Sequence, residues 1–484
     1  MSTTSRRDFL KQSTLGLAGV GITPYFLSST QPVHAQAPSD RLRMGCIGVG
    51  SMGKSDASGF NGLVDIVAVC DVDAKHLEEA QNHPNIGKKI DGKKINPEGY
   101  KDYRKILERN DIDVVSVVTV DHWHTKIVIE ALMAGKHVFC QKPLTLTVEE
   151  NQLIRAACKK YGKVFQVGTQ QRSEKERFMT AILMVQKGLL GDIKKIVCDI
   201  GASPVCQQPI PKAEIPAELD YEMWSGQVQV YDYIASTDLV GSWAGAWPKF
   251  SRTHYEYRWW YEYSGGKFTD WGAHHIDIAL WAIDQIGEEQ GPIRFNPLFA
   301  EHPVPLKDGY PTETNRYNTS HKFDIECQFE NGIVMNVVSN SPDGNGIVFE
   351  GTKGKIHVSR GRIKGKPFEE IGGKLNEKGG SVSYRDMPEL QKILPEEDYV
   401  KLYKGKPHEG HKQNFIRCIR EGGLPVSDVF SHLQTMNTCH LCGIAARLGR
   451  EVQWNPKTEK TGDAQSQSFL AREQRKGYEI PRIS

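Results

Sequence analysis

The sequence predicts an α/β protein of two domains, the first built on a parallel sheet with helices between its strands. Three observations carry this. The chain has 484 residues, more than a single hydrophobic core normally holds and enough for two. Short apolar runs alternate with helical patterns between residues 42 and 167, the order that makes βαβ units. A glycine-rich turn, Gly48-Val49-Gly50-Ser51-Met52-Gly53, stands directly after the first of those runs and opens the first helix.

Taken in order, the strands fall at 42–48, 64–70, 114–119, 137–140 and 164–167, with helical patterns at 74–80, 123–134 and 148–161. Cys46, Cys70 and Cys140 lie inside strands, where a parallel sheet buries small apolar side chains. The Lys/Gly-rich stretch 87–94 reads as a solvated loop. After residue 172 the texture changes. A helix at 178–187 leads into a strand at 193–200. Residues 201–262, rich in Pro, Trp and Tyr and weakly periodic, read as a long insertion over a site. Segments 323–329, 333–339, 346–350 and 354–358 predict antiparallel strands joined by turns such as Glu330-Asn331-Gly332. Helices follow at 411–420 and 432–448, and a polar tail runs over the surface after Trp454. Cys439-His440-Leu441-Cys442 has a spacing used by zinc sites. It has no second pair and lies in a helical pattern, so it reads as structural.

Composition narrows the function classes. The formal net charge of +2 gives no broad electrostatic case for nucleic acid or an anionic membrane surface. At the N-terminus, Ser5-Arg6-Arg7-Asp8-Phe9-Leu10-Lys11 is followed by an apolar run from Leu15 to Leu27 and by Val33-His34-Ala35. This order resembles a Tat export signal. It implies a periplasmic or secreted mature chain beginning near Gln36. No later run reaches the roughly 18 apolar residues of a membrane span.

The glycine turn is a GxGxxG in its proper context, after a strand and before a helix. Its glycines allow a tight turn and close backbone approach to a pyrophosphate, and the helix N-terminus supplies free N–H groups. Asp71 ends the second strand 18 residues after Gly53. An acidic residue there takes ribose hydroxyls and repels a 2′-phosphate, and no Arg follows it. NAD is therefore expected rather than NADP, on Gly48, Gly50, Ser51, Met52, Gly53 and Asp71. The expected division is a signal peptide at 1–35, an NAD-binding Rossmann domain at 36–170, a substrate-binding α/β domain at 171–454, and a C-terminal tail at 455–484.

Two further strands finish with reactive side chains at their carboxyl ends, where open α/β sheets bind ligands. One carries Thr119-Val120-Asp121-His122-Trp123-His124, the other Cys140-Gln141-Lys142-Pro143. Far downstream lies Gly265-Gly266-Lys267-Phe268-Thr269-Asp270-Trp271-Gly272-Ala273-His274-His275. Asp270 and His274 are four apart, so a carboxylate can orient an imidazole on one helical face, and the imidazole can take a hydroxyl proton near neutral pH. Thr119, His124 and Gln141 are expected in the cofactor pocket. Arg172, Arg258 and Tyr261 are expected to face substrate. The aromatics Trp259, Trp260, Tyr261 and Tyr263 are too closely spaced all to point inward, so some are expected at a pocket or interface. The roles of His122 and His275 stay open. No metal is expected, since His275 with Asp277 and His408 with His411 are not standard ligand spacings.

These segments together resemble the Gfo/Idh/MocA family, over nearly the whole mature chain. The resemblance rests on the strand end with His124, on Lys142-Pro143, and on the DxGxH segment from Asp270 to His274. Tat-exported members with an aromatic stretch like Arg258-Trp259-Trp260-Tyr261 form a recognisable subgroup. The resemblance implies a second domain with a large, mostly antiparallel open sheet, and homodimers or homotetramers formed through it. It implies that Lys142 contacts a substrate hydroxyl and the nicotinamide, and that His274 is the acid/base with Asp270 beside it. The implied activity is hydride transfer between a sugar or glycoside CH–OH and a tightly bound NAD, as in a glycoside 3-dehydrogenase. Two other readings remain: a redox-neutral NAD-dependent glycosidase or lyase, and a non-catalytic sugar-binding protein. The chain departs from the family at Gln141, usually Glu, and at Val120, commonly Pro. Loss of the carboxylate at 141 removes a partner that favours Lys142 as an ammonium.

Overall fold

The computed structural model describes residues 41–90, 93–239 and 250–483; the expected export signal lies outside them. The first sheet contains β1 (Arg43–Ile47), β2 (Asp65–Cys70), β3 (Glu98–Tyr100), β4 (Val114–Val117), β5 (His137–Cys140) and β6 (Phe165–Val167). Its order is β3-β2-β1-β4-β5-β6, all parallel. That is a Rossmann arrangement, with the reversal of strand order between β1 and β4. Strands β1, β2, β4 and β5 are buried almost end to end, because helices cover both faces. The helices are α1 (Ser51–Phe60), α2 (Ala74–Asn82), α3 (Asp121–Met133) and α4 (Val148–Tyr161). Asp73 and Thr147 cap α2 and α4, each accepting from backbone N–H groups of the first turn.

The second sheet is mixed and has nine strands among the described residues. They are β7 (Ile193–Asp199), β8 (Arg294–Glu301), β9 (Lys322–Gln328), β10 (Val334–Val338), β11 (Gly346–Gly351), β12 (Gly354–Val358), β13 (Ile363–Lys364), β14 (Val452–Asn455) and β15 (Lys460–Thr461). They run in the order β13-β12-β11-β7-β10-β9-β8-β14-β15. Only β7 and β10 pair in parallel, so the expected open, mostly antiparallel sheet is present.

Three short or irregular elements differ from the sequence reading. Strand β8 carries Pro297, which ordinarily argues against a strand; a register shift between Pro297 and Phe299 accommodates it. Strand β3 has three residues at a sheet edge, too few to show a period. The stretch expected as a loop at 87–94 contains a small hairpin, Lys88–Ile90 with Lys93–Ile95.

Helices α5 (Thr180–Gln186), α6 (Lys267–Asp270), α7 (Gly272–Ala282), α8 (His411–Glu421) and α9 (Val429–Leu448) complete the framework. Helix α9 is buried nearly all round, as a helix between two layers must be. Leu433 and Met436 join the core under the first sheet, while Leu441, Cys442 and Ile444 join the core of the second. Cys439 and Cys442 are both fully buried there, with Cys442 Sγ 3.6 Å from Cys327 Sγ, so the CxxC spacing serves packing. All ten cysteines are buried, and burial pushes their thiols away from the reactive thiolate, that of Cys46 up to about 12.

The insertion carries its own core. Trp259, Trp260 and Tyr263 are fully buried with Trp224, Phe250 and Tyr317, and the indoles donate to Glu256 and to the Ser251 carbonyl. Tyr261 is also buried, its hydroxyl pairing with His302 and accepting from the Ser320 N–H. The expectation that part of this cluster faces a pocket is therefore corrected, and Tyr261 is not a substrate contact here. Partners brought in from residues 301–320 give every ring an inward place, which local spacing does not reveal.

Candidate functional site

A cleft opens at the carboxyl ends of β1, β2, β4 and β5, where the strand order reverses. It encloses about 300 Å³, at the lower end of small-molecule sites of about 300–1,000 Å³. Its floor is the glycine turn. Gly48 has φ of +79°, and a side chain there would meet the Val118 carbonyl at 2.5 Å. A Cβ on Gly53 would lie 2.1 Å from the Gly48 carbonyl, so this glycine lets α1 start hard against the turn. Helix α1 begins with Gly50 and no side-chain cap, leaving the N–H groups of its first turn for a ligand. A Cβ at Gly50 would meet nothing nearer than His76 at 3.6 Å, so the space over the turn is open. These features fit a dinucleotide pyrophosphate. Gly53→Val is expected to abolish NAD binding in a fluorescence titration, since the Gly48 carbonyl must move by more than 1 Å; unchanged affinity would count against the assignment of this turn.

Gly48, Gly50, Ser51, Met52, Gly53, Asp71, Thr119, Gln141, Lys142 and Arg258 all line the cleft, as the sequence places them. Asp71 accepts from the N–H groups of Val49 and Asp73 at 2.8 and 3.0 Å, tying the end of β2 to the glycine turn. Burial pushes its carboxyl upward. The neighbouring Asp73, His76 and His254 were not foreseen. Their ligand atoms lie within 4.8 Å of one another, the one such metal-like group among the described residues. Asp73 already accepts from the N–H groups of Lys75 and His76 through Oδ1 and pairs with His254 Nε2 through Oδ2 at 3.0 Å. Burial would raise its carboxyl, but His254 and the His76 N–H bring it down to about 2. The trio thus pins the insertion to the start of α2. Tyr255 and Tyr257, also from the insertion, complete this wall.

At the opposite end stands Lys142. Its Nζ lies 2.5 Å from Asp270 Oδ1 and 3.2 Å from the Asp270 carbonyl. Asp270 is on α6, so the chain brings together two groups 128 residues apart. Arg258 Nε is 3.7 Å from the same carboxylate. Burial acts to raise the Asp270 carboxyl, yet Lys142, Arg258 and Lys267 outweigh it and hold Asp270 well below the usual carboxylate range.

His274 lies one helical turn on, in α7, close enough to feel the charges of Lys142 and Arg360. Burial first, then those charges, keep its imidazole well below the ordinary value. It is therefore held neutral, and the same surroundings make it a weak proton acceptor until they change. The expected hydrogen bond from Asp270 to His274 is not made: His274 Nδ1 has no partner among the described residues. The reason is twofold. Trp271 breaks the helical run between α6 and α7, and Lys142 claims the carboxylate. The Gln141 side chain likewise makes no contact with the Lys142 ammonium, its Oε1 accepting from the Lys142 backbone N–H at 3.3 Å. Its amide donates to Asp56 Oδ2 at 2.5 Å, and Asp56 is ion-paired with Lys412 at 2.9 Å. Asp270 thus provides the carboxylate partner that position 141 lacks.

Other expected site residues prove structural. Arg172 is 1% exposed and forks onto Asp277, with both contacts at 2.7 Å; it does not face the cleft. His124 is buried with its two ring nitrogens on the Pro143 and Thr119 carbonyls, so it positions the two strand ends without lining the pocket. His122 is held by the Trp224 carbonyl and His275 by the Asp199 carbonyl. Lys267 and Arg360 are additions. Lys267 sat inside a motif already singled out; Arg360, on the turn after β12, gave no local signal.

Comparison with known proteins agrees with this frame. Residues 42–169 match the Gfo/Idh/MocA oxidoreductase family, described by its NAD-binding Rossmann fold. A glycosyl hydrolase family 109 protein of Shewanella pealeana is 32% identical over 209 residues, 39% of this chain and 44% of that protein. An alpha-N-acetylgalactosaminidase of Shewanella oneidensis is 30% identical over 207 residues, with the same shares covered. The chain thus matches under half the length of these curated relatives. Among solved structures, a levoglucosan dehydrogenase in complex with NADH and levoglucosan has a TM-score of 0.54 at 18% identity, covering 86% of this chain and 99% of that one. The WlbA dehydrogenase from Bordetella pertussis, with NADH and UDP-GlcNAcA, has a TM-score of 0.56 at 17% identity over 86% and 99% of the two chains. At such identities these two establish the fold alone. The glycine turn, the strand order and the match over residues 42–169 identify the first domain as the NAD-binding Rossmann domain of the Gfo/Idh/MocA oxidoreductase family.

Proposed function

We propose that this protein is an NAD-dependent oxidoreductase acting on a ring CH–OH of a sugar or glycoside. The observation that carries the reading is the Lys142–Asp270 pair, standing where the dinucleotide cleft meets the second domain. NAD, when bound, supplies the hydride acceptor or donor. The chain's own part is to hold and polarise the substrate hydroxyl through Lys142 Nζ, to receive its proton on the neutral imidazole of His274, and to keep both groups fixed through Asp270. Arg258 and Tyr255 close the site against water from the insertion side.

The twin-arginine N-terminus supports export to the periplasm or beyond, where free NAD is scarce, and so favours a cofactor that stays bound and is recycled by a second substrate. Leu298 and Phe299 of β8 are exposed at 53% and 49%, which supports a dimer or tetramer through the open sheet. Protein purified without added cofactor, then denatured, is expected to release about one dinucleotide per chain, and incubation with a glycoside panel to yield keto-sugars by mass spectrometry. A preparation with no dinucleotide would remove the retained-cofactor element, and the absence of any keto-sugar would remove the oxidoreductase.

The curated relatives named glycosyl hydrolase family 109 favour a second reading, a glycosidase that oxidises and re-reduces its substrate within one cycle. Aglycone release without net NADH distinguishes it from the dehydrogenase.

A further inference from the structure

The site just described carries more positive charge than its own carboxylates balance. Lys142 and Arg258 are paired with Asp270. Lys267 is half-buried, with its ammonium 5.8 Å from the centre of the Trp259 ring and 5.9 Å from that of Trp271. Among the described residues it has no salt bridge and no hydrogen-bond acceptor. Arg360 lies over Trp271, with Cζ 4.5 Å from the ring centre. Its Nε is engaged: the Gln171 amide, in the orientation that satisfies both its atoms, accepts from Arg360 at 3.2 Å and donates to the His274 carbonyl at 3.1 Å. The remaining guanidinium nitrogens have no acceptor among the described residues. Asp121, the other carboxylate that Arg258 feels, already accepts from Tyr257 and Ser264, both at 2.6 Å. Lys267, half-buried, and Arg360, exposed, thus both lie against the Trp271 ring, and neither has an ion pair among the described residues.

A half-buried ammonium with no ion pair, such as that of Lys267, is costly unless a ligand completes it, and the exposed Arg360 guanidinium beside the same indole can reach that ligand. We infer that the substrate is an acidic sugar, its anionic group received by Lys267 and Arg360 beside Trp271 while the reacting hydroxyl lies at Lys142. This rests on the oxidoreductase reading and specifies its substrate class. A carboxylate, a sulfate ester and a phosphate ester share the required chemistry: each accepts from a guanidinium fork and an ammonium together. Charge on the ligand would also relieve the cations that depress His274, making the imidazole a better proton acceptor when the right substrate is present.

The test uses the full mature protein with NAD. Paired aryl glycosides, neutral, uronate, 6-sulfated and 6-phosphorylated, are compared for binding by calorimetry and for keto-sugar formation by mass spectrometry. At least one acidic member is expected to bind roughly 10- to 100-fold more tightly than its neutral counterpart, the range of a charge-assisted hydrogen bond. Arg360→Gln, an exposed and fold-neutral change, and Lys267→Met are each expected to reduce that acidic-to-neutral ratio about tenfold. The arms show which anion is preferred. Neutral sugars oxidised with no preference for charge, or a ratio that both variants leave intact, would overturn the inference and leave the oxidoreductase standing. Acidic sugars bound but never oxidised would support it and overturn the oxidoreductase. No binding in any arm would overturn both.

Discussion

Lys142→Met is expected to lower turnover by roughly 10²- to 10⁴-fold, the scale of a lost proton-transfer or polarising group, with NAD affinity changed only a few-fold. The expectation follows from where the ammonium sits. It is 14% exposed, lines the cleft, and faces Asp270 at 2.5 Å, while the glycine turn that would hold the pyrophosphate follows β1, two strands away from β5 in the sheet. The substitution also strips a buried carboxylate of its nearest cation. Arg258, 3.7 Å away, and Lys267 remain, so the stability cost is expected at about 1–3 kcal/mol, below the range for a fully orphaned buried charge. The double variant Lys142→Met with Asp270→Asn removes both charges together. It is expected to regain most of that stability and none of the activity. This separates a catalytic loss from a folding loss. If the double variant recovers turnover, or if the single variant retains it, Lys142 does not act on the substrate.

The parts of this site that the sequence makes legible are those written in local pattern. The GxGxxG turn, Asp71 at the end of β2, and Lys142 after β5 each sit at a strand end whose position the apolar runs define, and all three line the cleft. Side chains whose roles depend on a distant partner are not legible in this way. Arg172 follows a strand end just as Lys142 does, yet its partner, Asp277, is 105 positions away, and nothing near either residue announces the pairing. Asp270 and His274 have the spacing of a hydrogen-bonded pair on one helix. A break at Trp271 and competition from Lys142 decide otherwise, and both are tertiary facts. The aromatic run at 259–263 looks like a sugar-facing wall until Phe250, Tyr317 and Trp224 supply it with a core. In the second sheet, β8 escapes notice because Pro297 interrupts it, and only pairing with β9 across a bulge restores the strand.

Asp277→Ala is expected to be the most destabilising single change in the second domain, by about 3–5 kcal/mol, with a fall in Tm of roughly 6–15 °C. Asp277 is fully buried on α7. It accepts both contacts of the Arg172 fork at 2.7 Å, pairs with His432 Nδ1 at 2.9 Å, and accepts from the Thr435 hydroxyl at 2.9 Å. The network ties the segment after β6, at the end of the first sheet, to α7 and α9. Truncating the carboxylate leaves a buried guanidinium with only Ser431 and the Val426 and Ser431 carbonyls to solvate it. A like-sized apolar replacement of both partners, Arg172→Met with Asp277→Leu, is expected to cost less than Asp277→Ala alone, because it leaves no orphaned charge. The pH dependence gives the second check. Burial would raise the Asp277 carboxyl, but Arg172 and His432 hold it far below its unfolded value, which is near 3.9. A depressed folded value means that the network's contribution is complete above that unfolded value and is lost as pH falls toward the folded one. The Tm gap between wild type and Asp277→Ala should therefore be constant from pH 8 to about 5 and shrink as acid is added below about 4. A gap that persists unchanged at pH 3, or one already absent at pH 7, would mean that the fork does not join the two layers.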